Sequence, residues 1–144
     1  MYKRQELEYS KNYLELYKDI YPDRLNIKWD VDQRFLHVRI PTYILQPIVE
    51  NSLVHGMEPM IGTCTIWIRV KEEDGCLVIR IWDDGEGIEP EKLMRVMAGR
   101  DESRHIGIRN VQDRIQMLYG NEYGLSIRSE YHEYTEVKLT LPLG

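Results

Sequence analysis

Hydrophobic positions recur along this chain with two periods, and the switches between them outline its elements. From Gln5 to Tyr21 the period is helical: Leu7, Leu14 and Tyr21 fall at heptad spacing, while Tyr9, Tyr13, Leu16 and Ile20 cover an adjacent face. A helix apolar on two sides has room for two neighbours, the body of the domain and a partner helix; packing on its own domain alone is the simpler alternative. Pro22 ends it, because the residue before a proline is pushed out of the helical region. Leu25, Ile27, Trp29 and Val31 then alternate with Asn26, Lys28 and Asp30, the pattern of a half-buried strand. Asp32-Gln33-Arg34 reads as a turn, and Phe35 to Ile40 as a short second strand.

The chain is organised around Pro41 to Met57. At helical spacing Ile44, Ile48, Leu53 and Met57 make an apolar stripe, widened by Leu45, Val49 and Val54. Pro41 suits a first helical position, and Gly56 with Pro59 suits the end. Pro47 is awkward inside such a helix and either kinks it or displaces its start. Thr63 to Lys71 and Cys76 to Trp82 alternate as two strands around a Glu72-Glu73-Asp74-Gly75 hairpin. Pro90 to Met97 reads as a short helix and Ala98 to Arg104 as a polar segment without periodicity. Ile108, Val111, Ile115 and Leu118 mark a long amphipathic helix ended by Gly120, and Leu125 to Glu130 and Glu136 to Leu141 are the last strands. The order predicts an α+β fold, a layer of helices on a mostly antiparallel sheet.

Length and charge narrow the classes. A chain of 144 residues fits one domain with a real core. Its net charge of −5 argues against nucleic acid as a partner, since no basic stripe is available to neutralise phosphates. No apolar run approaches the about 20 residues that span a bilayer. Cys64 and Cys76 lie in strand-like segments without C-x-x-C spacing, which suits packing thiols in a reducing, cytoplasmic compartment.

Three places carry chemistry. On the central helix Glu50, Asn51 and His55 share a second face, and they lie too deep in the segment to be caps. Asp83-x-Gly85-x-Gly87 follows an apolar strand, placing a carboxylate at the strand end and letting the backbone approach a planar or anionic ligand. Such an Asp can accept a hydrogen bond from an exocyclic amine such as that of adenine. His105-Ile106-Gly107-Ile108-Arg109-Asn110 stands at a loop-to-helix junction, where open N–H groups and the helix dipole favour phosphate. Taken singly, each also fits a plain reading: solvated polar residues on a buried helix, an ordinary Asp-Gly turn, a glycine at the start of a core helix.

Their order and spacing resemble the N, G1 and G2 boxes of the histidine-kinase/gyrase/Hsp90/MutL ATPase superfamily. More narrowly, Leu45-Gln46-Pro47-Ile48-Val49-Glu50-Asn51, followed by His55-Gly56, and Gly107-Ile108-Arg109-Asn110-Val111-Gln112-Asp113-Arg114-Ile115 resemble sensor histidine kinases of the YesM/LytS type. The resemblance covers Leu25 to Leu143, and Gln5 to Asp23 more loosely. It implies a two-layer α/β sandwich of the Bergerat type, with a mixed, mostly antiparallel sheet and helices on one face. It implies that residues 1–23 end a dimerisation and phosphoacceptor hairpin and that residues 24–144 form the ATP-binding catalytic domain. It assigns Asn51 to Mg²⁺ bridging the phosphates, and Glu50 to orienting the metal's water or the attacking group. His55 would lie near the phosphates and Asp83 at the adenine amine, with Gly85 and Gly87 making room for the base. Gly107, Arg109 and Asn110 would cradle phosphates under a lid at Gly99 to Arg104. ATP and Mg²⁺ are the implied cofactors. The implied partners are a cognate response regulator and, in the full-length protein, a second subunit; that protein would be anchored in the cell membrane with this domain on the cytoplasmic side.

Two departures qualify the resemblance. His105 stands where the second box commonly has its first glycine, which bears on the lid's conformation. None of His37, His55, His105 and His132 has the setting of a phosphoacceptor, so the acceptor is expected upstream of this stretch. An anti-sigma-factor-type protein-serine kinase shares the three boxes and is the second reading. A nucleotide-binding regulatory module without catalysis is the third.

Overall fold

A computed structural model describes residues 4–36, 38–41, 44–57, 61–98 and 106–143. The element order is β1 (Arg4–Glu6), α1 (Leu7–Ile20), β2 (Leu25–Val31), β3 (Arg39–Pro41), α2 (Gln46–Asn51), β4 (Cys64–Glu73), β5 (Cys76–Asp83), α3 (Pro90–Met97), α4 (Ile106–Tyr119), β6 (Gly124–Glu130) and β7 (Tyr134–Pro142). Five strands form the main sheet in the order β2-β4-β5-β7-β6, with β2 parallel to β4 and every other pair antiparallel. This is the mixed, mostly antiparallel sheet of an α+β fold that the pattern predicts.

Alternation along the strands explains the layers. Ile66, Ile68 and Val70 of β4, Leu77, Ile79 and Ile81 of β5, and Val137, Leu139 and Leu141 of β7 all point to one face, and all are buried. Ile48, Val49, Leu53, Ile108, Val111 and Ile115 from the helical layer close over them, and Leu14 of α1 joins the same core. Each such aliphatic side chain contributes about 1.5–3 kcal/mol on burial, so the sheet–helix interface is the main source of stability. The opposite face is open. There Trp67 and Trp82 pair across β4 and β5 edge to face at 4.4 Å, Lys28 lies over the Trp67 ring, and Arg80 bridges Glu73 and Glu136. The β4–β5 hairpin turns through Asp74 and Gly75, both at positive φ, as a two-residue loop requires.

Three predicted boundaries are corrected. Gln5 lies in β1, which pairs antiparallel with β3, so the first helix starts at Leu7. The predicted strand from Phe35 shrinks to Arg39–Pro41: Gln33–Phe35 close a 3-10 turn whose Asp32 carboxylate accepts from the Arg34 N–H. Pro41 is therefore a strand residue and does not open the central helix. That helix starts at Gln46 and takes Pro47 into its first turn, where a missing N–H costs nothing. After Asn51 the backbone widens into a π-helix over Ser52–Met57. The wider turn has a physical basis in the stripe itself, since Ile48 and Leu53 are five residues apart and both are buried. The predicted helix end at Gly56 with Pro59 falls partly on residues outside those described, as do His37 and the lid at Gly99 to Arg104 with His105.

Candidate functional site

The site forms where α2 and its π-helical extension lie against the end of β5. Asn51 is the last residue of α2 and is only 7% exposed. Ser52 follows it, buried, and favours the ionised form of the nearby Asp83 carboxyl. Asp83 closes β5 on the buried side of the sheet and is 1% exposed. The Gly85 N–H donates to its Oδ1 at 3.0 Å. Burial is the leading influence on this carboxyl and pushes its pKa up to about 7, with the neighbouring Asp84 charge adding to the rise; the Gly85 and Ser52 donors act the other way. A buried carboxyl with a raised pKa at a strand end makes Asp83 a candidate functional group.

Other residues of the G1 stretch hold the loop. Asp84 accepts the Thr65 N–H at 2.7 Å and so fastens the loop to the start of β4. Gly87 has φ +75°, and an added Cβ would overlap the carbonyl oxygen of Glu130. Its glycine identity is therefore set by a strand turn packed over the loop. The Ser129 hydroxyl accepts the Ile88 N–H at 2.8 Å, and His132 Nδ1 lies 3.0 Å from Glu86 Oε1. Thr135 is buried directly across β5–β7 from Asp83, with its Oγ1 2.9 Å from that of Ser129. Pattern reading does not single out Ser52, Ser129 or Thr135, because one hydroxyl among many carries no periodic signal; Ser52 alone was findable, as the neighbour of Asn51.

The remaining predicted residues divide. Glu50 sits half-buried on α2, one of its oxygens accepting from Tyr13 at 2.7 Å and from Gln46 at 3.4 Å. His55 lies in the π-helical turn, and Gly107 is the second residue of α4. Asn110 is exposed on the first turns of α4. Arg109 is engaged elsewhere: its Nη1 donates to the Met97 carbonyl at 3.0 Å and its Nε meets Asp113 at 3.3 Å, a brace between α3 and α4. In this structure its charge serves helix packing.

Among the described residues no three His, Cys, Asp or Glu side chains gather as a metal cage. Mg²⁺ rarely needs one, because it is commonly held on one or two protein oxygens together with substrate phosphates. Asn51 and Glu50, consecutive on α2, carry oxygens of the hard kind that this ion takes. A concavity of about 340 Å³ lies on the open sheet face, lined by Trp67, Trp82, Arg69, Arg80, Asp30 and Glu136. Strand alternation puts it on the side opposite Asp83, so it is not part of this site. Cys64 and Cys76 are both free; burial holds Cys64 as the thiol.

Comparison with known proteins agrees with this geometry. Residues 38–144 match the family described as histidine kinase-, DNA gyrase B- and HSP90-like ATPase. The chain is 31% identical over 139 residues to the sensor histidine kinase YesM of Bacillus subtilis, and 34% identical over 139 residues to the sensor histidine kinase YpdA of Escherichia coli. Each alignment covers 96% of this chain but 23% and 24% of the relative, so the chain spans about a quarter of their length. Among solved structures, the histidine kinase domain of a blue-light-activated kinase from Erythrobacter litoralis superposes with a TM-score of 0.67 at 16% identity, covering 94% of this chain and 60% of that one. The catalytic domain of histidine kinase ThkA gives 0.67 at 13% identity, covering 99% and 98%. At those identities the likeness is one of fold. No helix among the described residues is long and apolar enough to cross a membrane.

Proposed function

We propose a function on one premise: the chain belongs to the histidine kinase-, DNA gyrase B- and HSP90-like ATPases and is an ATP-binding catalytic domain of the sensor-kinase kind. The proposal is that it binds ATP with its adenine amine on Asp83 and directs the γ-phosphoryl group to a histidine elsewhere in a longer sensor kinase. The observation that carries it is the Asp83 carboxylate, buried at the end of β5 with the Gly85 N–H on its Oδ1. A buried carboxylate with a backbone donor already in place keeps acceptor capacity for a ligand amine without having to be ordered on binding.

The residues then have distinct tasks. Asn51 would hold Mg²⁺, which when bound supplies neutralisation of the phosphate charge. Glu50 orients the attacking group. Gly107 and Asn110, at the start of α4, offer N–H and amide donors to the phosphates; the Arg109 brace leaves that residue a structural part in this scheme. Catalysis of this type rests on positioning and electrostatics more than on covalent chemistry. Residues 1–23 belong, in the same proposal, to the end of a dimerisation hairpin: Leu16 and Ile20 stand 63% and 65% exposed on the side of α1 turned away from the core. A response regulator and a second subunit are the partners this reading implies for the whole protein.

Calorimetric titration with a non-hydrolysable ATP analogue, with and without Mg²⁺, tests the reading. Micromolar-range binding that weakens in Asp83→Asn, and loses its Mg²⁺ dependence in Asn51→Ala, is the expected result. No binding by the folded chain would refute it in favour of a module that does not use nucleotide.

A further inference from the structure

Helix α1 reaches the site as well as the core. Leu14 is fully buried, and Tyr13, just before it, directs its hydroxyl to Glu50 Oε1 at 2.7 Å across 37 residues of sequence. The Tyr13 and Tyr17 rings meet edge to face at 5.2 Å, and their hydroxyls stand 3.3 Å apart. Tyr13 has a single hydroxyl proton, and the short contact to a carboxylate claims it; Tyr17 must then supply the proton between the two hydroxyls. The result is a row of donors, Tyr17 to Tyr13 to Glu50, running from α1 into α2. Burial, with these hydrogen bonds, raises the Tyr13 pKa, so the phenol stays a donor throughout the working range.

We propose that Tyr13 is a positioning residue for Glu50: its hydroxyl fixes one carboxylate oxygen and so holds the other in one orientation. The inference rests on the reading of Glu50 as the group that orients the attacking nucleophile. A Glu side chain has three free torsions, and without an anchor it spreads over several rotamers; only one of them presents the carboxylate usefully. The anchor here comes from a helix outside the sheet and its covering layer. The seating of α1 therefore sets the rate of transfer while leaving the nucleotide contacts at Asp83 untouched.

The test compares Tyr13→Phe, Glu50→Gln and the double variant in the full-length protein that carries this chain, with kcat and KM for ATP from transfer of labelled γ-phosphate. Tyr13→Phe keeps the ring and its packing. The expected result is a loss of about tenfold or more in kcat, as misplaced catalytic groups give, with KM for ATP and Tm unchanged. The double variant should be no slower than Glu50→Gln alone, because Tyr13 acts through that carboxylate. Wild-type kcat in Tyr13→Phe, with Glu50→Gln impaired, overturns this inference alone. Wild-type kcat in Glu50→Gln removes the underlying reading of Glu50 and the inference with it. A Tyr13→Phe loss that adds in full to that of Glu50→Gln, or that comes as a raised KM or a lowered Tm, assigns Tyr13 a purely structural part and also overturns the proposal.

Discussion

Ser52, the residue after Asn51, favours the ionised form of Asp83 at the end of β5. The coupling crosses between the helical layer and the sheet. Ser52→Ala removes a donor that favours the ionised form. The Asp83 pKa should then rise above about 7, moving the pH midpoint of nucleotide binding upward. Titrations of the ATP analogue across pH on wild type and variant read this directly; an unmoved midpoint would mean that Ser52 does not set the charge of Asp83.

Nucleotide affinity should increase with pH. In the proposed function Asp83 would accept the adenine amine as a carboxylate, so below about pH 7 the site must first lose a proton. The dissociation constant should fall as pH rises through that region and level off above it. Asp83→Asn should show weak binding with little pH dependence.

Folding stability should move the other way. The folded pKa of Asp83, about 7, lies above the ordinary 3.8, so between these values the folded state binds the extra proton. Stability is then fullest at low pH, declines as pH rises from about 4, and flattens above about 7, by an amount on the order of a few kcal/mol at most. Urea unfolding at about pH 5 and about pH 8 on wild type and Asp83→Asn checks the sign. The Asn variant should lose less stability between them and be the more stable protein at the higher pH.

Two glycines with nearly the same φ should differ sharply. Gly75, at φ +78°, has open space around it, and Gly75→Ala should cost about 1 kcal/mol from backbone strain alone. Gly87, at φ +75°, faces the backbone of Glu130 and Tyr131, so Gly87→Ala adds a steric clash and should cost well over about 2 kcal/mol. Chemical denaturation gives both values. Equal costs would mean that the β6–β7 turn does not pack on the loop in solution.

The seating of α1 can be measured separately. Leu14 is fully buried, and Leu14→Ala should destabilise the protein by about 2–5 kcal/mol. Leu16→Ala, on the exposed side, should change monomer stability by under about 0.5 kcal/mol. A similar cost for both would mean that α1 is not docked through Leu14.

Period and punctuation determined much of this protein by themselves. The alternation from Leu25 to Val31 and the helix Pro90–Met97 are local, and each matches the structure because neighbouring residues alone dictate it; the hairpin read over Glu72-Glu73-Asp74-Gly75 is present with its turn narrowed to Asp74 and Gly75. Of the stripe through Ile44, Ile48, Leu53 and Met57, the last three lie on the buried helix face and Ile44 is buried just ahead of it, and the order of Glu50-Asn51, Asp83-x-Gly85-x-Gly87 and Gly107 marked the family. Contacts between distant segments were decided only by the tertiary structure. Arg4–Glu6 is extended because Arg39–Pro41 offers it a ladder, and nothing within those three residues announces it. The Tyr13–Glu50 bond, the Thr65 N–H on Asp84 and the Glu130 backbone against Gly87 join segments that are neighbours only after folding. A hydroxyl acquires a role from the group it faces, and a chain read in order does not say which group that will be.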